Sequence, residues 1–218
     1  MKNLLLITSI AVTSFGCSQD NTAAENVATS SVNNTSVNSL ANQTQSKLFT
    51  MNDKALTDKS DIINLPNVER AIIANADFTL HEESAEHATF YDDPKTDSLS
   101  IDAANLAFRT KYAKASYTIT EAEAGSFELG FVALSEFDGE SNYKLMLNGE
   151  LVGDFTNPRT ELDFHEVYFR TGQTVTLTAG DELTVEAIAA SNGEIPEDGG
   201  YAWARGRWRA VTLLSNAN

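Results

Sequence analysis

From Phe78 onward, apolar and polar residues alternate in short runs broken by Gly, Asn and Asp. Ala115, Tyr117 and Ile119 alternate with polar neighbours, and Phe127, Leu129, Phe131 and Ala133 are interleaved with Ser126, Glu128 and Gly130. Tyr143, Leu145 and Leu147 continue the period of two, which sends one set of side chains to a buried face. Asn148-Gly149 follows at once and is the strongest hairpin signal in the chain, with Leu151–Phe155 as the returning strand. Phe164–Phe169, Val175–Leu177, Leu183–Ile188 and Trp203–Leu214 complete the series, with a turn at Gly180-Asp181. Strands this short and this regularly interrupted predict an all-β fold, an antiparallel β-sandwich of the jelly-roll kind. No run alternates with long amphipathic helices, so a parallel α/β sheet is excluded. One short helix is expected at Asn67–Asn75, capped by Asn67 and carrying Val68, Ile72 and Ile73.

The N-terminal part reads differently. Lys2 precedes an apolar run from Leu4 to Phe15, too short to span a bilayer as a helix, which ends at Ser14-Phe15-Gly16-Cys17. This is a secretory signal with small residues at −3 and −1. Its position beside the chain's one cysteine resembles a lipobox, with Cys17 lipidated; an ordinary signal-peptidase site at the same place is the alternative. Ser18 after the cysteine resembles the outer-membrane sorting signal of Gram-negative lipoproteins. Residues 18–46 are Ser, Thr, Asn, Ala and Gln for the most part, with no aromatic residue, and cannot bury enough apolar surface to offset chain ordering. The expected organisation is a signal peptide over 1–16, a lipidated tether over 17–46, a lead-in segment of uncertain role over 47–76, and a sandwich domain over 77–218.

Charge narrows the partners. The formal net charge is −16 and the pI about 4.4, the opposite of what phosphates or an anionic membrane surface attract. A nucleic-acid partner is therefore not expected, and the membrane is reached only through the lipid. With one cysteine there is no internal disulfide.

Three stretches carry a resemblance. Tyr117-Thr-Ile-Thr-Glu-Ala-Glu-Ala-Gly-Ser-Phe-Glu-Leu-Gly-Phe, Asp138-Gly-Glu-Ser-Asn-Tyr-Lys-Leu-Met-Leu-Asn-Gly with Val152-Gly-Asp-Phe, and Gly180-Asp-Glu-Leu-Thr-Val together resemble the galactose-binding-like jelly rolls, to which family 6 carbohydrate-binding modules belong. The resemblance covers about Asp77 to Leu214 and implies a polysaccharide ligand. It also implies a structural calcium near the first strand, for which Glu83 and Glu86 are the inexact candidates. Asp92, Asp93, Asp97 and the Asp138–Asn142 loop are further oxygen-rich stretches that suit calcium.

The sharpest chemical feature is Trp203-Ala-Arg-Gly-Arg-Trp-Arg, which places three of the fifteen Lys and Arg residues within five positions. On a regular strand Trp203, Arg205, Arg207 and Arg209 share a face, and a bulge at Gly206 would instead bring Trp208 outward. Aromatic planes stack on sugar rings and guanidinium forks pair with sulfate or carboxylate, so Tyr201, Trp203, Arg205, Arg207 and Trp208 are candidate ligand contacts, with Asn192 in the preceding loop. The competing reading makes Trp208 core and pairs the arginines with the abundant acids. Asp163, His165, Tyr168 and Arg170 form the best enzymatic set, but alternation splits them between two faces. The favoured function is a non-catalytic, surface-tethered module for an acidic or sulfated polysaccharide of algal type, serving polysaccharide-degrading enzymes or importers at the outer membrane. A small lyase or glycoside hydrolase, and an adhesion or assembly lipoprotein without a sugar ligand, are the alternatives.

Overall fold

A computed structural model describes residues 47–55 and 59–215. The signal peptide, Cys17 and the tether lie outside the described residues.

The strands, in chain order, are β1 (Lys47–Ala55), β2 (Val68–Ile73), β3 (Thr79–Leu80), β4 (Phe90–Asp93), β5 (Ser98–Ile101), β6 (Ala113–Thr118) and β7 (Gly125–Leu134). They continue with β8 (Asn142–Leu147), β9 (Glu150–Thr156), β10 (His165–Leu177), β11 (Glu182–Ile188), β12 (Pro196–Glu197), β13 (Gly200–Tyr201) and β14 (Trp208–Leu214). Twelve of them build two antiparallel sheets, and β12 and β13 pair only with each other. The first runs β1-β10-β7-β14-β5-β4, with β2 also on β14; the second runs β3-β6-β11-β8-β9. The architecture is the antiparallel β-sandwich that the alternation predicts.

The apolar period of two explains the core. Leu129 and Phe131 of β7, Val167 and Phe169 of β10 and Val211 and Leu213 of β14 meet Ala115, Leu145, Val185 and Ala187 of the facing sheet. Trp208 sits among them with no exposed surface. Its ring stacks on Phe131 at 5.6 Å and takes the edge of Phe78 at 4.9 Å. Asn148-Gly149 turns between β8 and β9 with both residues at positive φ, as the tight hairpin requires.

Three expectations change. Residues 68–73 form β2, paired with β14 through Ala71↔Thr212, and not a helix; only Ala74–Asp77 is helical. The lead-in segment thus contributes strands to the first sheet. Ile62, Leu65, Ala71 and Ile73 pack with Val132, Tyr168 and Ala210 in a second, smaller core on that sheet's outer face. Second, Phe164–Phe169 and Val175–Leu177 belong to one long strand, β10, with an irregularity between Arg170 and Thr174. Third, regular structure does not run from Trp203; β14 starts at Trp208. Gly206, at φ +56°, turns the chain just before it.

Candidate functional site

The connections over 102–112, 135–141, 157–164 and 189–207 come together and are cross-braced. Asn192 N–H donates to the Asp138 carbonyl at 2.9 Å, and the Asn192 amide donates to the Phe137 carbonyl at 2.8 Å. Phe137 N–H donates to Asp163 Oδ1 at 3.0 Å, and Ile101 N–H to the Arg205 carbonyl at 2.8 Å. Between these loops stands a small arm, β12 paired with β13 around Asp198-Gly199, both at positive φ.

Three depressions lie around the arm. One, of about 460 Å³, is lined by Leu106, Arg109, Glu197, Tyr201, Trp203 and Arg205 among others. The next, of about 740 Å³, shares Glu197 and Arg205 with the first and adds Tyr91, Asp93, Glu136, Asp138, Asp163 and Arg207. The third, of about 620 Å³, shares Phe137 and Ile195 with the second and adds Arg159 and Glu194. The three adjoin in a row through these shared walls, a groove divided by ridges, aromatic at one end and rich in carboxylates in the middle.

At the aromatic end Tyr201 is 52% exposed and Leu106 71% exposed, while Trp203 is half-buried. The Arg109 guanidinium lies over the Trp203 ring at 4.9 Å and its Nε donates to the Ala103 carbonyl. Arg205 stands on the ridge between the first two depressions, its Nη1 donating to the Tyr91 hydroxyl at 2.9 Å. Burial opposes its charge, but the bond to Tyr91 and the nearby Asp102 and Glu136 outweigh this and raise its pKa.

The middle of the groove is organised by Glu136, which is 2% exposed. Its Oε1 accepts from Arg205 N–H at 2.9 Å and from Arg207 Nη1; its Oε2 accepts from Arg207 N–H at 3.3 Å. Arg207 also donates through Nε to Asp93 Oδ2 at 3.3 Å and lies over the Phe164 ring. Burial pushes the Glu136 carboxyl up to about 7 against the pull of Arg207. Asp138 is raised by burial and by the neighbouring Asp163.

The residues singled out from sequence therefore separate. Tyr201, Trp203 and Arg205 line the groove together. Arg207 lines it too, but as half of a buried ion pair. Trp208 is not a ligand contact: it is core, because Gly206 turns the chain and β14 begins with the indole pointing between the sheets. Arg209 is internal as well, with Nη1 on Glu166 at 2.5 Å and Nε on the Thr96 carbonyl. Asn192 acts as a brace between loops. Asp163 reaches the groove, whereas Tyr168 bonds Glu166 and Arg170 pairs with Glu128, so the enzymatic set does not converge. Sequence reasoning missed Arg109, Leu106, Tyr91 and the arm, although Asp198-Gly199 is a hairpin signal.

Glu83 and Glu86 do not fit calcium. Both are exposed in a turn where Ser84 Oγ accepts from the Glu86 and His87 N–H groups. Calcium takes six to eight oxygens, and among the described residues no group of three or more His, Cys, Asp or Glu is placed to hold a metal ion. Asp92 and Asp97 both accept from the Asn75 amide, and Asp93 is held by Arg207.

An antiparallel two-sheet sandwich with a groove among its loops defines the class of this protein. No protein-family profile matches the chain. Uncharacterized protein P23 of Formosa agariphila is 32% identical over 105 residues, which is 47% of this chain and 24% of that protein. The chain thus spans about a quarter of that relative's length. Among solved structures, similar ones include the CBM36-1 domain of a multidomain xylanase from the hindgut metagenome of Trinervitermes trinervoides, at 14% identity and TM-score 0.43, covering 68% of this chain and 98% of that one. A CBM36 in complex with calcium and xylotriose has 16% identity and TM-score 0.41, covering 67% and 99%. The CBM35 from Paenibacillus barcinonensis has 13% identity and TM-score 0.37, covering 68% and 99%. None of these three is a family 6 module.

Proposed function

We propose that this domain is a non-catalytic carbohydrate-binding module whose polysaccharide ligand lies along the groove. The observation that carries this reading is the adjacency of an aromatic depression and a polar one across the shared walls Arg205 and Glu197. A sugar ring needs an apolar plane for its C–H face and charged or amide groups for its hydroxyls. Tyr201 and Trp203 supply the first; Arg205, Glu197 and Arg109 supply the second.

An acidic or sulfated ligand fits one part of the groove. Arg207 and Arg209 are paired with carboxylates, so the cations that face the aromatic end are Arg109 and Arg205, and an anionic substituent belongs there. Three of the groove's carboxylates favour binding over bond cleavage, because the chain itself engages them. Glu136 holds Arg205 and Arg207, Asp93 holds Arg207, and Asp163 holds Phe137 N–H. The test is affinity electrophoresis against alginate, κ-carrageenan and laminarin, repeated with Trp203→Ala. Loss of about 1–3 kcal/mol of binding in a folded mutant supports the groove; unchanged retardation places the ligand elsewhere.

We read the N-terminal segment as an export signal with lipid on Cys17, holding the module at the outer membrane beside degrading enzymes or importers. Cys17→Ser should then release the protein from the membrane fraction, since the thioether can form only on sulfur. Retention of the mutant would end this part of the proposal.

A further inference from the structure

Resting on the glycan reading of the groove, we propose that Glu136 is the positioning residue of the site. Ionised, it fixes the segment that presents Trp203 and Arg205; protonated, it lets the amide side of that segment go, so that ligand binding is gated by pH.

The geometry sets up a conflict of donors. All three groups that reach the Glu136 carboxylate are N–H donors: two backbone amides and a guanidinium. An ionised carboxylate accepts all of them, whereas a protonated one carries an O–H on one oxygen, which becomes a weaker acceptor with a single in-plane lone pair left, so the N–H groups held there are loosened. With the proton on Oε2, the loosened donor is the Arg207 amide. With the proton on Oε1, the Arg205 amide and the Arg207 guanidinium compete for the lone pair that remains.

The change stays local for two reasons. Arg207 keeps Asp93 on its Nε, so its charge remains compensated when Glu136 is neutral. The carbonyl side of the segment is held by other groups: Ile101 N–H on the Arg205 carbonyl at 2.8 Å, and Leu134 N–H and the Tyr143 hydroxyl on the Arg207 carbonyl, both at 3.0 Å. The two amides at Arg205 and Arg207 instead point at Glu136. The Ala204–Arg205 peptide plane therefore pivots about the Ala204 carbonyl, which Ala190 N–H holds at 3.2 Å, the Gly206–Arg207 plane swings between the held carbonyls of Arg205 and Arg207, and Arg205, which forms the wall between two depressions, moves with them.

Charged and titratable groups face Glu136 from every packed segment. Arg205 and Arg207 come from the stretch before β14, Asp138 from the loop that follows Glu136, and Tyr143 from β8; Asp93 and Tyr91 of β4 act through the two arginines. The carboxyl titrates near 7 because burial outweighs Arg207, so a modest acidification of the medium crosses its range.

The experiment has a ligand-free arm and a binding arm on the purified protein. In the first, NMR follows the Arg205 and Arg207 amides and the Trp203 indole from about pH 5.5 to about pH 8.5, with the buried Trp208 indole as the fixed reference. These signals should move together in the wild type and stand still in Glu136→Gln, which keeps His81, His87 and His165 and so removes imidazole titration as the cause. In the second arm, affinity for κ-carrageenan, whose sulfate stays ionised throughout, should fall about tenfold toward the acid end, the worth of one hydrogen bond to a charged group. In Glu136→Gln it should be weak and flat.

Wild-type signals that ignore pH, or that titrate equally in Glu136→Gln, overturn the proposal. Should Glu136→Gln fail to fold, the protein with His81, His87 and His165 replaced by Asn takes its place: a titration that persists there upholds Glu136, and one that vanishes overturns the proposal. A concerted titration in a protein that retains neither κ-carrageenan nor alginate upholds Glu136 as the holder of the segment and counts against the glycan reading alone.

Discussion

Replacing Trp208 with Ala tests the assignment of the two tryptophans most directly. Removing a buried large aromatic residue costs about 3–5 kcal/mol in general. The upper part of that range applies here, because Trp208 has no exposed surface and lies between Phe131, stacked at 5.6 Å, and Phe78, edge-on at 4.9 Å, on a strand flanked on both sides. One term works the other way. The indole Nε1–H is buried and makes no hydrogen bond among the described residues, and an unmet donor costs about 1–3 kcal/mol, which the mutation relieves. The net loss is about 3 kcal/mol, against a typical domain stability of about 5–15 kcal/mol. Thermal unfolding followed by near-ultraviolet circular dichroism should show a melting point lower by roughly 6–12 °C for a domain of this size. Trp208→Phe, which keeps the ring contacts and also removes the unmet donor, should lose far less. A melting point unchanged in Trp208→Ala, together with a large drop in Trp203→Ala, would refute the assignment and return Trp208 to the surface.

Further outcomes follow from the buried charges and the groove. Arg209→Met should destabilise by about 3–5 kcal/mol in urea titration, because it strands Glu166 without its cation in a buried setting. Stability should fall as pH rises from about 4.5 to about 7, since the unfolded Glu136 carboxyl ionises at the lower value and the folded one at the higher, so the folded state holds the extra proton in between. The full shift sets a ceiling of about 3 kcal/mol, and Glu136→Gln should flatten the profile. Arg109→Ala should lower the melting point modestly, since it removes the bond to the Ala103 carbonyl and the contact over Trp203, and should weaken any binding of a sulfated polysaccharide more at low salt than at high salt, because salt screens charge pairing.

The fold was legible where a local rule and the tertiary outcome agree. The alternation at 127–133 and the Asn148-Gly149 turn each state their geometry within a few residues. Residues 67–75 were misread because Val68, Ile72 and Ile73 have helical spacing, and pairing with β14 overrides that preference. In the site, an extended strand from Trp203 would set Trp203, Arg205, Arg207 and Arg209 on one face, but one residue at positive φ, Gly206, cancels the alternation. Which arginines are spoken for was invisible for a different reason. Glu136, Asp93 and Glu166 lie 71, 114 and 43 positions from the arginines they hold, and nothing near Trp203-Ala-Arg-Gly-Arg-Trp-Arg announces them. Arg109 escaped likewise, because its value comes from a ring far along the chain; the bare Leu106 in a polar loop was the one local hint.

Between Trp203 and Trp208 the chain passes from the groove wall to the middle of the core within five residues, whereas the arm is closed on itself by the Ala202 to Ile195 bond and joined to the neighbouring loop by Asn192 to Asp138. The two kinds of wall have different evolutionary freedom. Substitutions at Leu106, Glu197 or Tyr201 change what the groove touches while the sheets keep their packing. An insertion or deletion between 203 and 208 would shear Arg207 and Trp208 from their partners at the same stroke. Descendants of this domain can therefore diverge in what the groove admits by altering the arm and the 103–109 loop, with the 203–208 stretch inherited intact as the hinge on which each new surface is hung.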